Sequence, residues 1–353
     1  MKWAIPLYNS SQIDRAGIAL ANGSSSDADL EVINNWRSSH SFPLQIIKMM
    51  LKGRVRKADA SKGLVSQSLK RMTSIRAKTA RESIRLSQMQ DVGGCRAVMS
   101  NIAAVERLIF FFKEGIGKNP KGRHLHKEPR DYIANPKPDG YRGVHYIVRY
   151  QTQSKERGIY NGKKIEIQIR TRLQHAWATA LETVDALTGR SLKFDVRSNI
   201  EDPRWKRFFA LMGSAIALRE KRPRVPNTPE SKDELTKELR ELTDALHVEE
   251  VLKSVAVVVN YSGTEAEKKT ADEYILVLDT DKKTVNVLPF TDNERTNADA
   301  RYLQEEKAGR DKTNVQVVRV SVEDINTLKT AYPNYYLDTQ AFISALRWSI
   351  LEL

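Results

Sequence analysis

Polar and apolar positions alternate most plainly over Lys163–Arg170, where Ile165, Ile167 and Ile169 interleave with Glu166, Gln168 and Arg170. A period of two predicts a strand with the isoleucines on one face and the polar side chains on the other. Val144–Tyr150 alternates too, and the apolar run Cys95–Met99 predicts a central strand. Helical spacing appears at Leu30, Ile33 and Trp36 behind a candidate cap at Asp29, and at Leu44, Ile47, Met50 and Leu51 after Pro43. It returns over Ala103–Phe112, Thr171–Leu187 and Trp205–Arg219, with Trp36 and Trp177 as core residues. Residues 1–28 predict a lead-in with a turn or two of helix over Ile13–Leu20. The polar stretch 52–62 predicts a linker, followed by a basic helix that carries Lys70 and Lys78.

Three prolines in Arg222–Pro229 mark a boundary. Beyond it the pattern predicts a charged helix over Lys232–Leu252 and a buried strand over Ser254–Tyr261. A hairpin of Tyr274–Leu278 with Thr284–Pro289 follows, then a strand over Val315–Val320. Ser321 with Asp324 would cap a helix to Thr330, and Asp338 a last helix to Glu352. The expected organisation is a lead-in at 1–28, a main domain at 29–225 and a small α+β module at 226–353 that carries no catalytic constellation.

Candidate chemistry centres on Asp131–His145, DYIANPKPDGYRGVH. Pro136 and Pro138 each fix φ and remove a donor, so the segment predicts a stiff loop presenting Lys137, Tyr141, Arg142 and His145. A cation, an aromatic ring and a histidine suit a phosphate with a stacked base, although an ordinary loop before a hairpin would look similar. His124 and His126 stand in a basic loop at spacing poor for a metal. Asp91 precedes the Cys95–Met99 strand, and a lone aspartate in that position is more often a cap than a ligand. Paired with Glu166 it could supply the one or two carboxylates that Mg²⁺ takes beside phosphate oxygens.

The net charge of +14 points to a polyanionic partner. Cys95 is the only cysteine, which excludes intramolecular disulfides and cysteine-rich zinc sites. No apolar run is long enough to span a bilayer and the N-terminus lacks the apolar core of a signal peptide, so the expected location is cytoplasmic, with no membrane partner.

Three segments, in order, resemble the synthetase domain of the RelA/SpoT family: Asp91-Val-Gly-Gly-Cys-Arg96, the Asp131–His145 loop, and Glu166-Ile-Gln-Ile-Arg170-Thr171 followed by His175-Ala-Trp177. A fourth matches at Lys70, Ser74, Ile75 and Lys78, but Ser68 stands where the family has an arginine against the ATP adenine, leaving Arg71 or Arg76 as substitutes. The resemblance covers about residues 30–225. It implies an α+β fold in which helices flank a mixed, nucleotidyltransferase-like sheet. It also implies transfer of pyrophosphate from ATP to a ribose hydroxyl. Asp91 and Glu166 would be the catalytic and Mg²⁺-holding residues, Lys70, Ser74, Lys78, Arg96 and Lys137 would bind ATP, and Tyr141, Arg142 and His145 would bind the acceptor.

The C-terminal module resembles that of the toxic small alarmone synthetases, the fused antiphage forms of the CapRel type. There a zinc-finger-like fold without zinc carries a Tyr-x-x-Tyr motif that occludes the ATP site, matched here by Tyr332 and Tyr335. That branch implies tRNA, at its 3′ CCA end, as acceptor and a phage capsid protein as the activator that relieves autoinhibition. Two other classes stand beside it: an alarmone synthetase using GDP or GTP, and a non-catalytic RNA-binding protein.

Overall fold

A computed structural model describes residues 3–353 apart from 61, 83, 119–127, 189–202, 254–256, 263, 265–269, 310, 311, 313 and 323–326. The first elements are α1 (Ser10–Ala21), α2 (Asp27–Ser38), α3 (Ser41–Asp59), β1 (Leu64–Leu69), α4 (Met72–Glu82), β2 (Gly93–Met99) and α5 (Ile102–Lys118). Next come β3 (Arg130–Asp131), β4 (Val144–Arg149), β5 (Lys164–Thr171), α6 (Arg172–Thr188) and α7 (Pro203–Arg219). The remainder is α8 (Lys232–Ala245), α9 (Val248–Lys253), β6 (Val258–Tyr261), β7 (Glu273–Asp279), β8 (Thr284–Phe290), α10 (Arg295–Ala308), β9 (Val315–Ser321), α11 (Leu328–Ala331) and α12 (Gln340–Glu352).

The described strands form one mixed sheet in the order β3-β4-β5-β2-β1-β9-β7-β8-β6. β2 and β5 run parallel, as do β6 and β8, and the other neighbours are antiparallel. The strands after residue 226 therefore continue the sheet of the first half. The join is short: β1 meets β9 only at Gln67 with Ser321 and Ser68 with Val320.

The alternation in β5 sorts the two faces. Ile165, Ile167 and Ile169 are fully buried with Cys95, Ala97, Met99 and Tyr146 beneath α3 and α5. Glu166, Gln168 and Arg170 point to the other face, which α6 covers. A second apolar core joins α6, α7 and α8 to α12 through Trp177, Phe208, Phe209, Leu239, Phe342 and Leu346. The last helix is thus part of the packing that holds α6 over the polar face.

Several local expectations are corrected. Residues 1–28 hold a three-turn helix, α1, closed by a reciprocal Asn9–Gln12 capping box, and its Ile13, Ala16 and Leu20 share a core with Ile33, Trp36 and Ile75. Ser26 caps α2, and Asp29 returns the bond as its third residue. α3 runs through the expected linker to Asp59, because Val55 and Ala58 continue its buried stripe. Leu64–Leu69 is a strand, so Lys70 sits at its end instead of on a helix face. Segment 232–252 breaks at His247, which has φ 48°. β6 is an exposed edge, with Val258 63% accessible. Helix α10 was not anticipated, although the Thr291–Glu294 capping box and the i, i+4 pair Ala298 and Tyr302 announce it. Thr339 holds the N-cap position of the last helix without a side-chain cap bond, while Asp338 accepts from Gln340 N at 3.3 Å and pairs with Lys329 at 3.1 Å. His124, His126 and Asp324 lie outside the described residues.

The Asp131–His145 loop is fixed from within and from above. Asp131 Oδ1 accepts from the amides of Ile133 and Ala134 at 2.9 Å, and Asp139 Oδ1 from that of Tyr141 at 2.8 Å. Gly140, at φ +92°, lies directly against α7, where a Cβ on Gly213 would come within 2.7 Å of its carbonyl oxygen. Gly213→Ala is expected to lower stability by about 1–3 kcal/mol through overpacking. Gly53→Ala, in α3 with nothing within 4 Å of its Cβ, is expected to be neutral or to stabilise by up to ~1 kcal/mol. Urea unfolding of the two variants beside wild type checks both.

Candidate active site

The polar sheet face carries a closed ring of five side chains. His145 Nδ1 lies 3.0 Å from Glu166 Oε1, and Gln168 donates to Glu166 Oε2 at 2.7 Å. Arg170 donates to Gln168 Oε1 at 3.0 Å and to the Tyr141 hydroxyl at 2.8 Å, and that hydroxyl lies 2.5 Å from His145 Nε2. The register explains the ring: Gln168 pairs with His145 across β4–β5, while Tyr141 reaches in from the loop. A neutral imidazole with its proton on Nδ1 satisfies every member, since an ionised carboxylate only accepts. Burial alone would raise the Glu166 pKa, but the bonds from His145 and Gln168 and the charge of Lys70 outweigh it and hold the group at about 2.

Asp91 sits beside this ring at the entry to β2. Its Oδ2 takes both Lys70 and Lys78 at 3.0 Å, from the end of β1 and from α4. Lys70 therefore serves both carboxylates. Asp91 Oδ1 is buried without a partner. Gly94, opposite Glu166 in the register, leaves the space between β1 and β5 open, since a Cβ there would meet only Ser68 O at 3.9 Å. Among the described residues no three His, Cys, Asp or Glu side chains gather as a metal cage. An orphaned carboxylate oxygen near a second carboxylate nonetheless fits Mg²⁺, which completes its shell with phosphate and water oxygens.

The other expected residues are placed as follows. Ser74 is half-buried on α4, one turn before Lys78. Lys137 stands at the rim, 4.5 Å from the ring centroid of Tyr132 and 5.2 Å from that of Tyr141. Arg96 lies on the same sheet face, paired with Gln168, and burial with the nearby Arg170 charge holds it below the usual arginine range. Arg142 does not join the cluster: it is buried and donates to the carbonyls of Pro223 at 2.9 Å and Ile133 at 3.0 Å, so the expectation that it binds the acceptor is corrected to a bracing role.

Tyr332 and Tyr335 are buried between β1 and α6, the Tyr332 hydroxyl donating to the Gln67 carbonyl and Arg71 lying 5.9 Å from the Tyr335 ring. Sequence reasoning left Gln168 and Arg170 without a role and missed Glu182, which acts electrostatically on Arg71, Arg96 and His175. Its signal was spacing: Glu182 follows His175 by two helical turns on α6, so both face the sheet. Burial, then Arg96 and Arg170, push the His175 pKa down, so its imidazole is neutral.

Residues 67–184 match the model of the region found in RelA/SpoT proteins. The GTP pyrophosphokinase YjbM of Bacillus subtilis is 35% identical over 123 residues, 33% of this chain and 52% of that protein. A GTP pyrophosphokinase of Photobacterium angustum is 37% identical over 106 residues, 30% of this chain and 12% of that protein. The chain thus spans about half or less of these relatives' length. The crystal structure of small alarmone synthetase 1 from Bacillus subtilis bound to pppGpp aligns at a TM-score of 0.42 and 24% identity, covering 52% of this chain and 90% of that one.

The Glu166 shift has a stability consequence. Its folded pKa of about 2 lies below the ordinary 4.5, so its contribution is complete above about pH 4.5 and is lost as pH falls towards 2. The shift corresponds to about 3 kcal/mol. Denaturant titrations between pH 5 and 2 are expected to show this loss in wild type and a flatter profile in Glu166→Gln.

Proposed function

We propose that this chain is a pyrophosphokinase that transfers the β,γ-pyrophosphate of ATP to a ribose hydroxyl and releases AMP. The observation that carries the reading is the meeting, on one sheet face, of two carboxylates around a shared lysine within a RelA/SpoT-type region. The acceptor oxygen attacks the β-phosphorus, the bond from that phosphorus to the α–β bridging oxygen breaks, and AMP leaves with the electron pair. Such transfers depend on positioning and charge neutralisation. Glu166, ionised and aimed by His145 and Gln168, receives the hydroxyl proton as the new O–P bond forms. Lys70 and Lys78 hold phosphate charge, with Ser74, Arg96 and Lys137 completing the ATP site. Arg71 replaces the arginine missing at Ser68, because it lies beside Tyr335 at the polar face, whereas the Arg76 guanidinium packs at Gly23 on the α1–α2 turn. Mg²⁺, held by Asp91 and Glu166, would neutralise triphosphate charge.

The names of the relatives support a guanosine nucleotide as acceptor, its base against Tyr141 and its phosphate or ribose near His145. The net charge of +14 favours a second acceptor, the 3′ end of tRNA, and with it the toxin reading. On that reading the C-terminal part, a zinc-finger-like module without zinc, inhibits the site until a phage protein displaces it. The seating of Tyr332 and Tyr335 against Gln67 and Arg71 supports such inhibition.

Truncation would not test this cleanly, because α8 and α12 complete the core under α6 and α7. The full chain carrying Tyr332→Ala and Tyr335→Ala is the suitable material. Incubated with γ-labelled ATP and GDP, GTP or deacylated tRNA, it is expected to label one acceptor, faster than wild type. Asp91→Asn or Glu166→Gln in that background should reduce labelling by about 100-fold or more. Label in tRNA selects the second acceptor, and label in none rejects the enzymatic reading in favour of an RNA-binding protein.

A further inference from the structure

Outside the active site, the largest fully buried side chain is Arg37 on α2. It donates to Asn34 Oδ1 at 2.9 Å and to the Lys70 carbonyl at 3.3 Å, both neutral. Its negative partners come from α10: Glu306 takes the guanidinium in bidentate fashion at 2.8 and 2.5 Å and Asp299 adds its field, while the neutral Tyr302 ring lies 4.4 Å from the guanidinium carbon. Glu306 Oε1 also accepts from the Met72 amide at 3.1 Å, at the N-terminus of the eleven-residue helix α4. Arg37 Nε remains buried and unpartnered.

A guanidinium fork converging with a helix N-terminus is the arrangement that recognises phosphate. Here a carboxylate from the far end of the chain occupies it. A cavity of about 270 Å³ between α4 and α10, lined by Glu306 together with Leu30, Arg71, Met72, Arg76 and Lys307, borders the seat at Glu306 and Met72, with the fully buried Arg37 behind them. The Arg76 and Lys307 cations favour an anion inside it, and Leu30 and Met72 offer an apolar wall.

We propose that Arg37 and the N-terminus of α4 form a phosphate-binding seat that Glu306 fills, and that a small phosphate monoester entering through the adjacent cavity competes with Glu306 for it. A ligand that takes the seat releases α10 from α2 and loosens the join between the two halves of the sheet. This site lies apart from the carboxylates proposed to act on ATP, although Arg71 of the proposed ATP site also lines its cavity, and it does not depend on that activity.

Inorganic phosphate is the probe. Thermal midpoints of the full chain are measured against phosphate, with chloride matching the ionic strength, for wild type, Glu306→Ala, and the charge-free pair Arg37→Met with Glu306→Leu. Phosphate bound at Lys70 and Lys78 contributes equally to all three. In wild type the filled seat weakens apparent affinity, so Glu306→Ala is expected to respond at phosphate concentrations about tenfold lower or less. The charge-free pair should show only the shared response. Equal responses from all three overturn the proposal. Should Glu306→Ala be insoluble, its refolding yield in phosphate against chloride is read instead: recovery in phosphate supports the seat, and equal loss in both salts overturns it.

Discussion

A sheet face bearing Glu166, Gln168, Arg170, Arg96 and His145 is costly to cover unless its polar groups find partners under the cover. That requirement shapes everything on this side of the molecule. An unsatisfied charge in such surroundings costs more than most packing contacts return. The closed ring from Glu166 through His145, Tyr141 and Arg170 to Gln168 meets most of it, while Arg96 Nε and Arg170 Nε stay buried without a partner. Because the ring is cyclic, the orientation of each side chain depends on its two neighbours. A carboxylate held this way is ionised and aimed before any substrate arrives. Reactions that succeed through placement of charge require that state.

β1 is the strand on which both halves of the molecule depend. On one side it pairs along its whole length with β2, bringing Ser68 beside Gly94 and placing Lys70 at Asp91. On the other it makes only a two-residue join to β9. Polar ties also cross that seam, Arg37 with Glu306, Ser38 with Asp299, Lys48 with Ser321 and the Tyr332 hydroxyl on Gln67, beside the apolar packing of Leu64 on the core that holds Leu276 and Val320. A few directional bonds hold firmly while their geometry is intact and fail together when it is disturbed. An apolar seam of equal area would slide instead.

Much of this was readable in the chain. The strands β2, β4 and β5 and the helices α5, α6 and α7 follow from periodicity, because their environments differ sharply between faces. The pairing of Asp91 with Glu166 follows from the resemblance to the RelA/SpoT segments, because the period of a strand alone does not separate a polar site from an exposed face. What stayed hidden depends on distant partners. Nothing local distinguishes Leu64–Leu69 as a strand: Ser66 and Ser68 share the polar face with Arg96, while Gln67 on the opposite face reaches Gln45, and its polar positions are largely buried. Arg142 looked like a binding residue because it stands among them, yet its guanidinium turns inward to Pro223, 81 positions away. Arg37 gave no signal, since its counter-charge lies on a helix that only the folded chain brings near.

The placement of α12 bears on how the protein is made. Its Phe342 and Leu346 complete the apolar layer behind α6, and α6 forms the roof of the polar face. During synthesis on the ribosome, α6 and α7 therefore wait for residues 340–352 before their packing is whole. By then Tyr332 and Tyr335 have already been translated. The apolar layer behind α6 is therefore among the last parts of the molecule to close.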